Sequence, residues 1–255
     1  MLDGYFGQMH CGQKTTQRWL VSTSLGWEMM TQRHKFRIIP VVEGHGEEYA
    51  VPIMLNNWFK HRRFFNFTTP DLAVRAHQAS LLCEYDSQRE RGIEHYLNLA
   101  MCGRPDAILV MFDADDECIA RQDKQPYQPL GPELLQRARN HLPHIPISVV
   151  VANREFEAWY LAAYRRFKGR GHFHRDTKFT PGFDVETPRD CKGHVSTSMG
   201  RKYSETADQK VLTEHLGFGS YISRYSPSFK KLLKDLDWLA QQARRIRRNR
   251  MNAAQ

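Results

Sequence analysis

The chain has 255 residues, 41% of them hydrophobic, which is enough for one large α/β domain with a sizeable core. Lys and Arg number 37 against 28 Asp and Glu, and the net charge of +9 favours nucleic acid as the partner. The sequence has no apolar run that would span a bilayer and no CxxC pair among its five cysteines, so we expect a cytoplasmic protein without membrane partner or disulfide framework.

The first half of the chain predicts alternating strands and helices. Residues 1–34 lack periodicity and carry many Gly, Gln, Ser and Thr, which predicts a loose extension. Continuous apolar runs predict buried strands over 38–42 and 107–112. Helical spacing of apolar residues predicts helices over 47–59 and 79–99, the latter broken at Gly92. A strand or loop is expected at 72–74.

The second half continues the pattern. It predicts a helix over 133–141, a third buried strand over 147–152, and two final helices over 206–216 and 228–248. The polar stretch 168–199, rich in Gly, Pro and His, predicts irregular structure over the site. Together these elements predict an α/β fold with a mostly parallel sheet flanked by helices. We expect a core over 35–165 and an irregular and helical C-terminal extension over 166–255, packed on the core.

Acidic residues follow the predicted strands. Glu43 and Glu47 come after the first strand, Asp113 and Asp115 after the second, and Glu157 after the third. Because the carboxyl ends of parallel strands meet at one edge of a sheet, these carboxylates are expected to converge. Carboxylates that approach one another repel unless a cation neutralises them, and Mg²⁺ or Mn²⁺ prefers such oxygen ligands. The alternative is that each acid caps the helix that follows it.

Basic residues supply the second half of the predicted chemistry. If the loop around Lys192 folds over the site, its ammonium would stabilise the negative charge that builds on a phosphate during hydrolysis. Arg62, Arg63 and Arg75 are candidates for a nucleic-acid-binding rim, with a solvated surface as the alternative. The arginines that end the last predicted helix allow the same two interpretations, and a frayed, solvated end is favoured.

Three other kinds of site share part of their pattern with this sequence. Gly44-x-Gly46 follows a strand, but Tyr49 stands where a dinucleotide-binding motif needs its third glycine. The acids from Asp113 onward resemble a calcium loop, but Cys118 stands where that loop needs glycine. A zinc site remains an open alternative to solvated side chains; its candidate ligands are His172, His174, Cys191 and His194.

Five motifs carry a resemblance to a known family. In chain order they are residues 40–47 (PVVEGHGE), 112–116 (FDADD), 154–159 (REFEAW), 189–193 (RDCKG) and 203–209 (YSETADQ). Together they resemble a bacterial family of Toprim-like proteins of unassigned function, which is related to the overcoming-lysogenization-defect nucleases. The resemblance covers residues 37–238 and leaves residues 1–34 outside.

The resemblance implies a Toprim-like, Rossmann-type fold in which Glu43 is a general acid or base. It implies the following further site residues: Asp113 and Asp115 as metal ligands, Glu47 and Glu157 completing the metal site, and Lys192 as the catalytic lysine. Such proteins are often encoded beside an ATPase of the AAA or ABC type, which implies an ATPase partner and a role in antiphage defence.

Two functions remain open from the sequence. The first is a Mg²⁺-dependent nuclease that hydrolyses phosphodiester bonds of DNA or RNA as the effector of an ATPase-coupled system. The second is a non-catalytic, metal-stabilised regulatory or binding subunit of an ATPase complex. Both need the same acids, so the sequence does not separate them.

Overall fold

The structure is a computed structural model that describes residues 35–114, 130–178, 184–187 and 190–253. The loose extension predicted over 1–34 lies outside the described residues, as does Asp115. The described residues from Lys35 onward belong to one compact unit.

The centre of the fold is a five-stranded sheet in which every strand pair is parallel. The strands are β1 (Phe36–Val42), β2 (Phe67–Thr68), β3 (Val74–Arg75), β4 (Ala107–Asp113) and β5 (Ile147–Ala152). Their order is β2-β1-β4-β5, and β3 pairs with the C-terminal end of β1. The three long strands are almost entirely buried, as expected for parallel strands covered on both faces.

Helices cover both faces of this sheet. They are α1 (His45–His61), α2 (Gln78–Leu82), α3 (Ile93–Cys102), α4 (Leu130–His141), α5 (Ala158–Ala162), α6 (Tyr164–Gly169), α7 (Cys191–Met199), α8 (Lys210–His215), α9 (Ser220–Tyr225) and α10 (Pro227–Ala253). A π-helical turn over Glu205–Gln209 leads directly into α8. The predicted α/β fold with a parallel sheet and a C-terminal helical region is therefore confirmed, and it is Rossmann-like.

The two faces of the sheet bury different sets of side chains, because successive strand residues point to opposite faces. Ile38 of β1 and Leu109 of β4 lie in one core cluster with apolar residues of α1 and α10. Ile39 and Ile108 lie in a second cluster with residues of α3 and α4. This arrangement explains why the strands are uninterrupted apolar runs.

Several local predictions are confirmed and others are wrong. Gly92 separates α2 from α3 and has a φ of 93°, in a region that favours glycine. The stretch predicted to be irregular contains α7, whose first turn is capped by the Asp190 side chain. The last helix is not frayed, because α10 continues to Ala253. None of the described helices is both long and apolar enough to cross a bilayer.

Candidate functional site

The carboxyl ends of β1 and β4 bring Glu43 and Asp113 together. Glu43 is the first residue after β1, and Asp113 is the last residue of the neighbouring β4. The Glu43 Oε2 atom accepts a hydrogen bond from the backbone N–H of Asp113 at 3.2 Å. Two acids that are 70 residues apart in sequence are thus adjacent at one edge of the sheet.

Glu47 joins this edge through the first turn of α1. Its carboxylate accepts a hydrogen bond from the side-chain amide of Gln209, in the π-helical turn. A Cβ added at Gly44 would collide with the Glu47 carboxylate, and one added at Gly46 would collide with the Gln209 amide. The two glycines therefore leave room for these polar side chains, which a Cβ would displace; this role differs from cradling a dinucleotide.

Glu157 is the most unusual acid of the site. It immediately precedes α5, its side chain is fully buried, and neither carboxylate oxygen has a hydrogen-bond partner among the described residues. Burial raises the pKa of Glu157 to about 8. The charge of Lys192 and the nearby Tyr203 hydroxyl oppose this rise, and the charge of Glu47 adds to it. A buried carboxylate in this state is costly unless it is protonated or accompanied by a cation.

Further buried polar groups surround Glu157. The Tyr203 hydroxyl and Gln209 Oε1 also lack hydrogen-bond partners among the described residues. Burial and the charge of Glu157 raise the pKa of Tyr203 far above its ordinary value. The hydroxyl of Tyr160 donates to the Gln209 carbonyl at 2.9 Å. Burial raises the pKa of this hydroxyl most, and the charges of nearby acids raise it further. These acids are Glu157, Glu47 and Asp113.

Lys192 lies in the first turn of α7 and faces the same acids. Its backbone N–H donates to Glu155 Oε2 at 3.1 Å, and its ammonium forms an ion pair with Glu205 at 2.8 Å. Burial lowers the pKa of Lys192, but attraction from Glu157, Glu205 and Asp113 outweighs burial and raises it above its ordinary value. The lysine is therefore held in its charged form beside the acidic edge.

The three arginines predicted to contact nucleic acid do not come together. Arg75 of β3 is paired in register with Val42, one residue before Glu43, and contacts the imidazole of His45. Arg62 and Arg63 follow the C-terminal end of α1, whose 17 residues span roughly 25 Å. Arg62 forms an ion pair with Asp237 at 2.9 Å. Only Arg75 stands at the rim of the acidic site.

The four candidate zinc ligands do not assemble into a site. The ring of His172 lies 4.7 Å from that of His215, and burial raises the pKa of the Cys191 thiol, which keeps it protonated. Across the described residues, no three His, Cys, Asp or Glu side chains are close enough to hold a metal ion. The predicted acidic set is described only in part, because Asp115 is outside these residues.

Sequence reasoning missed the polar groups that complete the surroundings of Glu157, among them Gln209. The π-helical turn that carries this residue is held by Asp208, which accepts hydrogen bonds from Arg201 at 2.8 and 2.6 Å and from the backbone N–H of Ser204 at 2.8 Å. Such turns occur often at functional sites. The run from Tyr203 to Gln209 was visible in the sequence, but nothing there linked it to Glu157.

Comparisons with known proteins gave one finding. A family model described as a domain of unknown function, DUF4276, matches residues 42–237. Neither a search of curated proteins nor a search of solved structures gave a match. The matched residues include every acid of the described site and Lys192. The chain belongs to the DUF4276 family.

Proposed function

We propose that this protein is a metal-dependent nuclease that hydrolyses phosphodiester bonds of DNA or RNA at the acidic edge of its sheet. The observation that carries the proposal is Glu157, a fully buried carboxylate with both oxygens unpaired among the described residues. Native proteins pair nearly all buried polar groups, so an exception calls for an explanation. A divalent cation that is shared with neighbouring acids accounts for it.

The donor chemistry fits a hard cation. Every predicted ligand is a carboxylate, the ligand type that Mg²⁺ and Mn²⁺ prefer over nitrogen or sulfur. The residues that we propose to hold the cation are Glu43, Glu47, Asp113 and Glu157, together with Asp115. Because no three described side chains form a metal-binding group in this structure, these carboxylates would have to draw closer around the cation. When bound, the cation would supply charge that draws the phosphate and lowers the pKa of an attacking water.

The protein's own side chains have separable roles in this proposal. Glu43, fixed by the N–H of Asp113, accepts the proton of the attacking water. Lys192 remains charged and stabilises the negative charge that builds on the phosphate. Arg75, at the rim, holds a neighbouring phosphate of the nucleic acid and fixes its position.

The resemblance to Toprim-like proteins supports two further parts of the proposal. We propose that an ATPase of the AAA or ABC type gates the nuclease, and that the pair acts in antiphage defence. Such a partner would break the ion pair between Lys192 and Glu205, because the lysine must leave Glu205 before it reaches a phosphate.

The test is cleavage of labelled single-stranded DNA, duplex DNA and RNA in Mg²⁺ or Mn²⁺, with the wild-type chain and two variants. Glu43→Gln keeps an oxygen that accepts the Asp113 N–H but removes the base, and Asp113→Asn removes a ligand charge. We expect both variants to stay folded and to lose cleavage by about three orders of magnitude.

Glu48→Gln is the matched control, because Glu48 lies in the same helical turn as Glu47 and takes no part in the proposed site. It should cleave like the wild type. Retained cleavage in the Glu43→Gln, Asp113→Asn double variant would refute the proposal.

A specific observation also favours the alternative, a regulatory or binding subunit that holds metal for structure alone. The ammonium of Lys192, the proposed catalytic lysine, is engaged by Glu205 in an ion pair at 2.8 Å. Under this alternative, Mg²⁺ raises the melting temperature but no substrate is cut, with or without an ATPase partner. The same cleavage assay, paired with thermal unfolding, separates the two functions.

A further inference from the structure

A cleft of about 860 Å³ opens at the edge of the sheet opposite the acids. It is lined by Ile147, where β5 begins, whereas the acidic edge is where β5 ends at Ala152. Six strand residues separate the two edges by roughly 20 Å. The cleft is therefore distinct from the proposed catalytic site.

Two walls form the cleft. One is the connection between α4 and β5, which contributes Pro143, Ile145 and Pro146. The other is a straight row along α10, with Trp238, Gln242, Ile246 and Arg250 spaced four residues apart. Side chains at this spacing lie on one face of a helix, and the row extends for about 18 Å.

The charged groups of the cleft are all basic. Arg139 and Arg250 line it, and no carboxylate is among its lining residues. The guanidinium of Arg139 lies 5.7 Å from the centre of the Trp238 ring, and in the described part of the chain no carboxylate pairs with Arg139 or Arg250. By contrast, Arg247 of the same helix forms an ion pair with Asp106 at 2.8 Å. The cleft thus carries positive charge that the described protein does not neutralise.

We propose that this cleft is a docking site for an acidic, amphipathic segment of a partner protein. Its aliphatic and proline lining suits apolar side chains, and Arg139 and Arg250 suit carboxylates on either side of them. Trp and Arg are the residue types that contribute most to protein interfaces. A nucleic acid would find two arginines, but half of the lining is Ile and Pro, which offer its bases no hydrogen bonds. The α10 wall begins at Trp238, just beyond the residues that match the family model.

The test measures binding of fluorescein-labelled peptides to the full chain by anisotropy. The main probe is a helical peptide of about four turns with Leu on one face and Glu elsewhere. Comparison probes replace Glu by Lys, or Leu by Ser, and a short single-stranded DNA tests the other class of partner. We expect the Leu/Glu peptide to bind at least about tenfold more tightly than each of the others to the wild-type cleft.

Charge-reversing variants locate the binding. Arg139→Glu and Arg250→Glu should each weaken the Leu/Glu peptide about tenfold, and the double variant should instead bind the Leu/Lys peptide. Arg248→Glu, exposed on α10 and on the side of the helix away from the cleft, is the matched control and should bind like the wild type. The proposal is overturned by equal binding of the Glu and Lys peptides, by equal loss in Arg248→Glu, or by DNA binding that the two arginine variants abolish.

Discussion

Two buried carboxylates in this fold are treated in opposite ways. Glu94, in α3, receives hydrogen bonds from Arg137 of α4 at 2.9 and 2.6 Å. Although burial opposes the change, these bonds lower the pKa of Glu94. Glu157 has no such guanidinium donor among the described residues, and burial raises its pKa to about 8 although the charge of Lys192 and the Tyr203 hydroxyl oppose the rise.

The difference teaches how to separate structural from functional acids. Arg137 also donates to the carbonyl of Cys83 at 2.8 Å, so its pair with Glu94 ties α2, α3 and α4 together and is complete. The surroundings of Glu157 are incomplete, since neither of its oxygens has a hydrogen-bond partner of good geometry among the described residues. An incomplete polar site in an otherwise well-packed core is the sign of a missing ligand.

Substitution of each acid by its amide gives the largest expected contrast. Glu157→Gln removes the charge that would hold the cation, so we expect cleavage to fall by about three orders of magnitude. Glu94→Gln should leave the rate per folded molecule unchanged, because Glu94 packs on the α3 and α4 side of the sheet. Cleavage rates, corrected for the folded fraction by circular dichroism, check this. Equal losses in the two variants would contradict the contrast.

Removal of the basic residue beside each acid compares the two acids through the free energy of unfolding. Arg137→Met leaves the Glu94 carboxylate and the carbonyls of Leu82 and Cys83 without the hydrogen bonds that Arg137 donates. It should lower the free energy of unfolding by about 3 kcal/mol. Lys192→Met removes an exposed ion pair with Glu205 and should cost less than about 1 kcal/mol. Urea denaturation measures both. A larger loss in Lys192→Met would show that Glu157 depends on the lysine for its stability.

The sequence was sufficient for some of these features and insufficient for others. Apolar runs located the long strands, and the rule for parallel sheets placed Glu43 beside Asp113. The pairing of Gln209 with Glu47 spans 162 residues and depends on a π-helical turn that has no sequence signature. Arg62 belongs to a basic run that predicts a nucleic-acid-binding rim, but the 17 residues of α1 place it at the far end of that helix from the acids.

Helix α7 was missed for a different reason. Asp190 is a strong N-terminal cap, and Gly200, with a φ of 70°, is a typical left-handed end. The surrounding Gly, Pro and His residues dominated the composition, and Gly193 within the first turn weakened the helical pattern. The capping signals were present, and compositional averaging concealed them.

Addition of Mg²⁺ or Mn²⁺ tests the missing ligand directly. A cation at 100 times its dissociation constant stabilises the folded state by about 2.7 kcal/mol, or roughly 5 to 10 °C in melting temperature for a chain of this size. We expect this rise in the wild type and in Glu94→Gln, and its loss in Glu157→Gln. Differential scanning fluorimetry with a Ca²⁺ and an EDTA series measures it. An identical rise in Glu157→Gln would remove Glu157 from the set of ligands.

The pH dependence of stability distinguishes the two acids without any metal or substrate. In EDTA, folded Glu157 with its pKa near 8 holds a proton that the unfolded chain releases above its ordinary pKa of 4.5. Its contribution is therefore complete below pH 4.5 and is lost as the pH rises through about 8, at about 1.4 kcal/mol per pH unit. The pKa of Glu94 is lowered, so its contribution to stability is present above pH 4.5 and is lost as the pH falls through its folded pKa.

Urea denaturation from pH 5 to 8 measures this difference. The free energy of unfolding should decline more steeply with pH in the wild type than in Glu157→Gln, whereas Glu94→Gln should decline in parallel with the wild type. Parallel curves for the wild type and Glu157→Gln would mean that the buried carboxylate is already neutralised by the protein itself, and no bound cation would be needed to account for it.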